Sequence, residues 1–403
     1  MGEDLRSRLR RIREARYTRD KGSAMPGTSG QAADNAPDTG AAEARVMLPG
    51  SDWTSAGYLT VKRSVFIKPP MDVPGELPRA LGILVPDLLR YGAVLPGTGD
   101  LIFFDLETTG LSTGPGVVAF LAAFGRLAGD SLRVDQYLLL DYPGEADFLE
   151  ALLGEFAPAL PEGPPPLVTS YNGKSFDTQL LKTRCLMKGF SPPEYAQADL
   201  LHPSRRLWKR ILGSCSQASI ETAALGLNRE GDVSGAMAPD IWFSFLKSGD
   251  PSELAGVCDH NIRDILGLLG IFCALCRIAE DPLGGGARYR CDRESLALWW
   301  RRAIRVHGET AFGAGTGRVG EALLQTAAEA GLCRAAYAYR RDLAIEAEWK
   351  RKDPASALRQ VDLFLALDEI PGIMAENMFH RRERLLEKLR KKDGCRANSV
   401  FDD

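Results

Sequence analysis

Leu101-Ile-Phe-Phe-Asp-Leu-Glu-Thr108 is the stretch on which the reading of the whole chain turns. It opens with four apolar residues in unbroken succession, the pattern of a buried strand. Side chains alternate along a strand, so Asp105 and Glu107, two apart, project from the same face. Two carboxylates side by side at the end of a buried strand repel each other and lose hydration, a cost that a bound cation relieves. A solvated pair on an edge strand is the plain alternative, and the apolar residues directly before the pair argue against it.

Outward from this strand, Gly110, Gly114, Pro115 and Gly116 mark a turn. Two further strands are expected from Val117 to Leu127 and from Leu132 to Leu140, then a helix from Glu145 to Leu160. Leu167 to Tyr171 reads as a fourth strand, Ser175 to Lys188 as a helix, Ala196 to Leu201 as a strand, and about Ser252 to Ile278 as the clearest helix. Three strands followed by alternating helix and strand predict a mixed α/β sheet flanked by helices. After Gly284-Gly285-Gly286 only helical periodicity remains, with Ala357, Leu358, Val361, Phe364 and Leu365 in one helix and Met378, Leu385, Leu386 and Leu389 in the next. A small all-α unit closes the chain.

At 403 residues the chain exceeds one hydrophobic core. The expected division is a tail and linker over 1–45, an approach segment over 46–98, an α/β domain over 99–280, a helical unit over 287–392 and a short tail over 393–403. Residues 1–22 are rich in Arg and read as a charged tail, and 23–44 have the composition of a disordered linker. A formal charge of −3 excludes a protein that coats nucleic acid, so any such contact is local. Cys273 and Cys276 form a CxxC without a second pair nearby and read as a buried helix face. No run reaches the length of a membrane span and the N-terminus lacks an apolar signal core, so the expectation is a cytoplasmic protein without a membrane partner.

Three more acidic or catalytic candidates follow in order. Asp177 opens a helix, where the dipole alone would favour it. The preceding Asn172-Gly-Lys-Ser has the look of a P-loop tail, but the pattern requires glycine at 168, and Val168 stands there. His260 and Asp264, four apart in a helix, share one face. His202, Arg205, Arg206, Lys209 and Arg210 gather around Trp208, offering phosphate neutralisation and a surface for a base, with a solvated basic helix as the even alternative.

Asp105-Leu-Glu107-Thr-Thr-Gly resembles the first motif of DEDD exonucleases, Asn172-Gly-Lys-Ser-Phe-Asp177 the second and His260-Asn-Ile-Arg-Asp264 the third. Together with Gly114 to Phe120, Asp199 to Lys209 and the helical tail, they are similar to the YprB-type ribonuclease-H-like proteins, from about residue 50 to residue 390. The resemblance implies a ribonuclease-H-like mixed sheet followed by a TPR-like (tetratricopeptide-like) helical unit. It also implies a nuclease that holds two Mg²⁺ or Mn²⁺ ions about 3.5–4 Å apart to activate water and hold the scissile phosphate. Asp105 would bridge both ions, Glu107 and Asp264 would bind the nucleophile side, and Asp177 the other. Thr108, Asn172 and Phe176, within the motifs, are implied nucleic-acid contacts, joining Arg205, Arg206, Trp208 and Lys209. The chain departs from the class at one point: its members place a His five residues before the last Asp or a Tyr four before it, and His260 stands at the Tyr spacing. His260 is the candidate general base, with Asp259 a weaker one.

The leading expectation is a 3′–5′ exonuclease on single-stranded ends, with RNA and DNA both open. A non-catalytic nucleic-acid-binding scaffold is the alternative, using the helical tail to recruit a protein partner.

Overall fold

The apolar run 101–104 forms an interior strand of a seven-stranded mixed sheet. The computed structural model describes residues 47–91, 95–110, 114–157, 166–229 and 231–399, with side chains described for all of these but 90, 91 and 392–399. The charged tail and linker expected over 1–45 lie outside the described residues, whereas the tail expected over 393–403 continues the last helix as far as Ser399.

The strands are β1 (Thr54–Gly57), β2 (Thr60–Ile67), β3 (Leu101–Thr108), β4 (Ala119–Ala128), β5 (Ser131–Leu139), β6 (Leu167–Ser170) and β7 (Ala196–Asp199), in the spatial order β1-β2-β5-β4-β3-β6-β7. β1 to β5 pair antiparallel along this order up to β3, whereas β3–β6 and β6–β7 are parallel. Helices are numbered α1 (Leu81–Leu84), α2 (Glu145–Glu155), α3 (Asp177–Lys188), α4 (Leu201–Leu212), α5 (Gln217–Ile220), α6 (Ala238–Ser248), α7 (Leu254–Glu280), α8 (Pro282–Arg288), α9 (Arg293–His307), α10 (Thr316–Glu329), α11 (Cys333–Ile345), α12 (Pro354–Leu365) and α13 (Gly372–Ser399). The mixed α/β sheet with a helical C-terminal region is the fold class expected from the sequence. The approach segment differs from expectation: it supplies β1 and β2, and β2 extends the antiparallel edge by pairing with β5 from Thr60 to Ile67.

The two faces of β3 are covered by different helices. Ile102, Phe104 and Leu106 join a core with Phe148 and Leu152 of α2, Leu180 and Leu181 of α3, and Trp242 of α6. Leu101 and Phe103 face α7, where Phe103 meets Phe272 edge-on with ring centroids 5.7 Å apart. Opposite Phe103 and Asp105 on β4 stand Gly125 and Ala123. These small residues let α7 lie close to the sheet: a Cβ on Gly125 would come within 2.4 Å of Ile265 Cγ2. The odd-numbered face of β3 is thereby aimed at α7.

Gly284-Gly285-Gly286 does not break the chain; it sits inside α8, with Gly285 seated on the Arg277 carbonyl of α7, where a Cβ would lie 2.9 Å from the oxygen. The apolar core passes from Leu268 and Phe272 of α7 to Leu296 and Trp300 of α9 and Leu323 of α10, so the C-terminal helices share a core with the sheet. Further on, Ala357, Val361, Phe364, Met378 and Leu385 are buried in a second helical cluster, as their spacing predicted. Cys273 and Cys276 are free, buried thiols on α7.

Gly125→Ala should therefore cost about 1–3 kcal/mol by overpacking, read from urea denaturation of the full chain, and the added Ile265→Ala should recover part of that loss. Equal stability of Gly125→Ala and the wild type would contradict this seating of α7.

Candidate metal centre

Asp105 and Glu107 come from the face of β3 that lies beneath α7, and α7 brings His260, Asn261 and Asp264 down onto them. Asn261, fully buried, donates from Nδ2 to Asp105 Oδ2 at 2.8 Å. Its Oδ1 accepts from Gln136 Nε2 at 2.9 Å, and Gln136 Oε1 in turn accepts from Arg63 Nε at 2.8 Å. This chain of buried amides fixes the orientation of the Asp105 carboxylate. One ligand atom each from Glu107, His260 and Asp264 lies within 4.8 Å of the others.

Asp177 enters from the first turn of α3, beyond β6, and is buried. The loop before it is held by buried Asp199 at the end of β7, whose Oδ1 accepts from the Asn172 N–H at 2.8 Å and whose Oδ2 accepts from the Lys174 N–H at 3.1 Å. Asn172 takes a left-handed φ of 67°, a conformation Asn tolerates better than most residues. Lys174 pairs with Asp87 at 2.6 Å, which accounts for it without a phosphate.

The carboxyl groups repel one another. Burial, and then the charges of Asp264, Glu107 and Asp177, hold Asp105 well above the usual carboxylate range. Burial and the charges of Asp264, Asp177 and Asp232 do the same to Glu107. Burial, with Asp199 adding, pushes Asp177 up to about 7. Burial also raises Asp264, although His260 and Arg229 oppose it. Among the described residues Glu107 has no hydrogen-bond donor. An all-oxygen set of mutually repelling carboxylates, Glu107 and Asp177 buried and Asp105 and Asp264 half-buried, suits hard divalent cations such as Mg²⁺ or Mn²⁺.

The flank of the site holds residues the sequence reading missed. Arg229 donates to both Glu221 oxygens, at 2.5 and 2.7 Å, and to Asp264 Oδ1 at 2.6 Å. Glu221 fits against α7 because Gly267 leaves room: a Cβ there would lie 1.7 Å from Glu221 Oε1. Asp232 Oδ2 lies 2.9 Å from His260 Nδ1, while His260 Nε2 lies 3.2 Å from Asp264 Oδ2. A neutral imidazole can donate to only one of the two. Asp232 also accepts from Arg263, and despite burial these partners keep it below its usual range.

Other candidates lie elsewhere. Asp259 is exposed and turned toward Arg63, 3.7 Å away. Thr108 is buried, and its Oγ1 donates to the Gly110 carbonyl at 2.8 Å, shaping the turn after β3. Asn172 is exposed and Phe176 half-buried, next to Asp177. Trp208 corrects the expectation of a base-stacking surface: it is fully buried and its Nε1 donates to the Tyr289 carbonyl at 2.7 Å, so no base can reach it. Arg205, Arg206 and Lys209 are exposed on the opposite side of α4, and Lys209 hydrogen-bonds to the Gly213 carbonyl at the helix end.

With this geometry in place, the comparisons define the class. Residues 102–276 match the family described as RNase_H superfamily, and this part of the chain is ribonuclease-H-like. The chain is also similar to "Uncharacterized protein YprB" of Bacillus subtilis (strain 168), with 39% identity over 176 residues that cover 43% of this chain and 41% of that protein. The chain thus spans less than half the length of that relative. Among solved structures, the family B DNA polymerase of the hyperthermophilic archaeon Pyrobaculum calidifontis aligns over 51% of this chain and 29% of its own, with 13% identity and a TM-score of 0.33, too low to carry weight. The family match ends at Cys276, ahead of the C-terminal helices, whose tetratricopeptide-like character stays a resemblance. No helix among the described residues is long and apolar enough to cross a membrane.

Raised carboxyl pKa values fix the sign of a pH effect on the metal-free protein. A carboxyl with a folded-state pKa above its unfolded value of about 3.9 favours the fold below that value and loses stability as pH rises toward the folded one. With EDTA present, the melting temperature should therefore fall as pH rises from about 4 through about 7, the range over which Asp177 loses its proton. Asp105→Asn, which removes one repelling charge, should melt a few degrees higher than wild type near neutral pH, with the gap closing toward pH 4. Identical melting profiles for the two proteins would refute the repulsion.

Proposed function

We propose that the chain is a metal-dependent nuclease, a 3′–5′ exonuclease acting on single-stranded ends of nucleic acid. The observation that carries this reading is the mutual repulsion of Asp105, Glu107, Asp177 and Asp264, with too little neutralising charge among them. Two Mg²⁺ or Mn²⁺ ions held there would supply positive charge to a phosphodiester's oxygens and acidify a water. Asp105 would be shared between the ions, held in register by Asn261. Glu107 and Asp264 would hold the side on which water attacks, and Asp177 the side on which the leaving oxygen departs.

His260 is proposed to take the proton from that water at Nε2. Its Nδ1 faces Asp232, and a hydrogen bond given to that carboxylate leaves Nε2 as the acceptor on the cluster side. Arg229 is proposed to hold Asp264 in place against the repulsion.

Arg229 also favours a second reading. A guanidinium 2.6 Å from Asp264 Oδ1 already neutralises part of the cluster, as expected of a nucleic-acid-binding scaffold that dispenses with catalysis. Cleavage decides between the two.

Asp105→Ala and Glu107→Ala should each abolish Mn²⁺-stimulated cleavage of labelled single-stranded oligonucleotides, by at least about a hundredfold, with the circular dichroism spectrum retained. Turnover unchanged in both variants would sink the nuclease reading. His260→Gln should lower kcat by about 10²–10⁴-fold with KM little altered. Full activity in that variant would make the histidine structural.

A further inference from the structure

The C-terminal helices present a run of cations that the site does not use. Arg206, exposed on α4, lays its guanidinium over the Trp299 ring of α9 at 4.5 Å from the centroid. Trp299 and Arg302 are one turn apart on α9, so Arg206 and Arg302 meet as like charges across the contact of the two helices. Burial and the charge of Arg302 push the Arg206 pKa down. Arg305 follows Arg302 by a further turn, and Arg205 is adjacent to Arg206, both exposed. None of these four arginines makes an ion pair among the described residues. The acids of this region are already committed: Asp342 to Arg301, Asp292 to Arg210, and Glu294 to Arg210 and Arg334. A surface trough of about 430 Å³ is lined by Arg301, Arg302 and Arg305 together with Leu298 and Val306.

We propose that the face formed by α4 and α9 is a phosphate-backbone track for the single strand whose end lies in the acidic cluster. Unpaired guanidiniums spaced a helical turn, about 5.4 Å, apart match a chain of phosphates, and their planes also stack against bases. α4 starts directly after Asp199, whose carboxylate holds the Asp177 loop, and it reaches Arg205 and Arg206 after about 6–8 Å of helix rise. The track therefore begins beside the cluster and leads away from it across α9. The C-terminal helices become part of the substrate surface, and a strand long enough to reach them gains affinity that a short one cannot. This inference rests on the nuclease reading for the strand's polarity but not for the binding itself.

The test uses the full chain in EDTA, with fluorescence anisotropy of labelled single-stranded DNA and RNA of about 4 and about 24 nucleotides, across a salt series. The double variant Arg302→Glu/Arg305→Glu should bind the long oligonucleotides about tenfold or more weakly and flatten the slope of log affinity against log salt by about 1.4, two phosphate contacts' worth. Its turnover of the short substrate with Mn²⁺ should equal wild type. Arg382→Glu/Lys391→Glu, an equal charge change on α13 at residues paired with Asp362 and Glu387, should leave long-strand binding unaltered. A double variant with wild-type affinity and salt slope overturns the proposal. So does displacement of the oligonucleotide by an acidic peptide of equal charge, which would assign the face to a protein partner. Track-dependent binding without any cleavage would leave this proposal standing and overturn the nuclease reading alone.

Discussion

Everything at the site depends on how closely α7 lies on the sheet. Gly125 and Ala123 leave the floor low, Ile265 and Phe272 fill the space above it, and the helix is then near enough for Asn261 to reach Asp105 at 2.8 Å. The same seating puts Asp264 and His260 beside Glu107. Apolar packing is thus the force that assembles like charges. Burying apolar surface along α7 offsets the cost of bringing buried carboxylates together. The fold stores that repulsion where a divalent cation would relieve it, in keeping with the tendency of functional sites to carry strain stabilised elsewhere.

Around this centre the protein has built a graded neutralisation. Among the described residues Asp105 receives only an amide hydrogen bond, whereas Asp264 is held by Arg229 and faced by His260. Glu221 and Asp232, one on either side of Arg229, restore negative charge at the periphery. The side of the cluster nearest α7's first turns is therefore polarised, with cationic groups at the rim and uncompensated carboxylates within. On the opposite side the loop before Asp177 is tied to Asp199 by backbone N–H groups alone.

Much of this was legible in the sequence, for identifiable reasons. Leu101 to Phe104 has the apolar continuity of a buried strand, and a period of two then places Asp105 and Glu107 on one face. His260 and Asp264 were paired by helical spacing. What escaped notice lies in contacts distant in sequence. Asn261 and Gln136 touch across 125 residues, and the only local sign is a polar pair, Asp135-Gln136, within the largely apolar β5. Arg229 and Asp232 sit in a loop with no periodicity to read. Trp208 stands among basic residues in sequence, yet it belongs to the stripe Leu201, Ser204, Leu207 and Trp208, whose spacing marks the buried side of α4. The β1–β2 hairpin was hidden by the surrounding prolines and glycines, and its single buried pair, Thr60 and Val61, gives too little alternation to signal a strand.

The claim at the centre is that the four carboxylates constitute one divalent-cation site. Calorimetric titration of the full chain with Mn²⁺ at neutral pH tests it most directly. The account predicts two ions bound per chain, with binding of both impaired in Asp105→Asn, because that carboxylate is shared, and retained in Asp259→Asn, which points away from the site. Absence of Mn²⁺ binding, or binding that Asp105→Asn leaves intact, would contradict it.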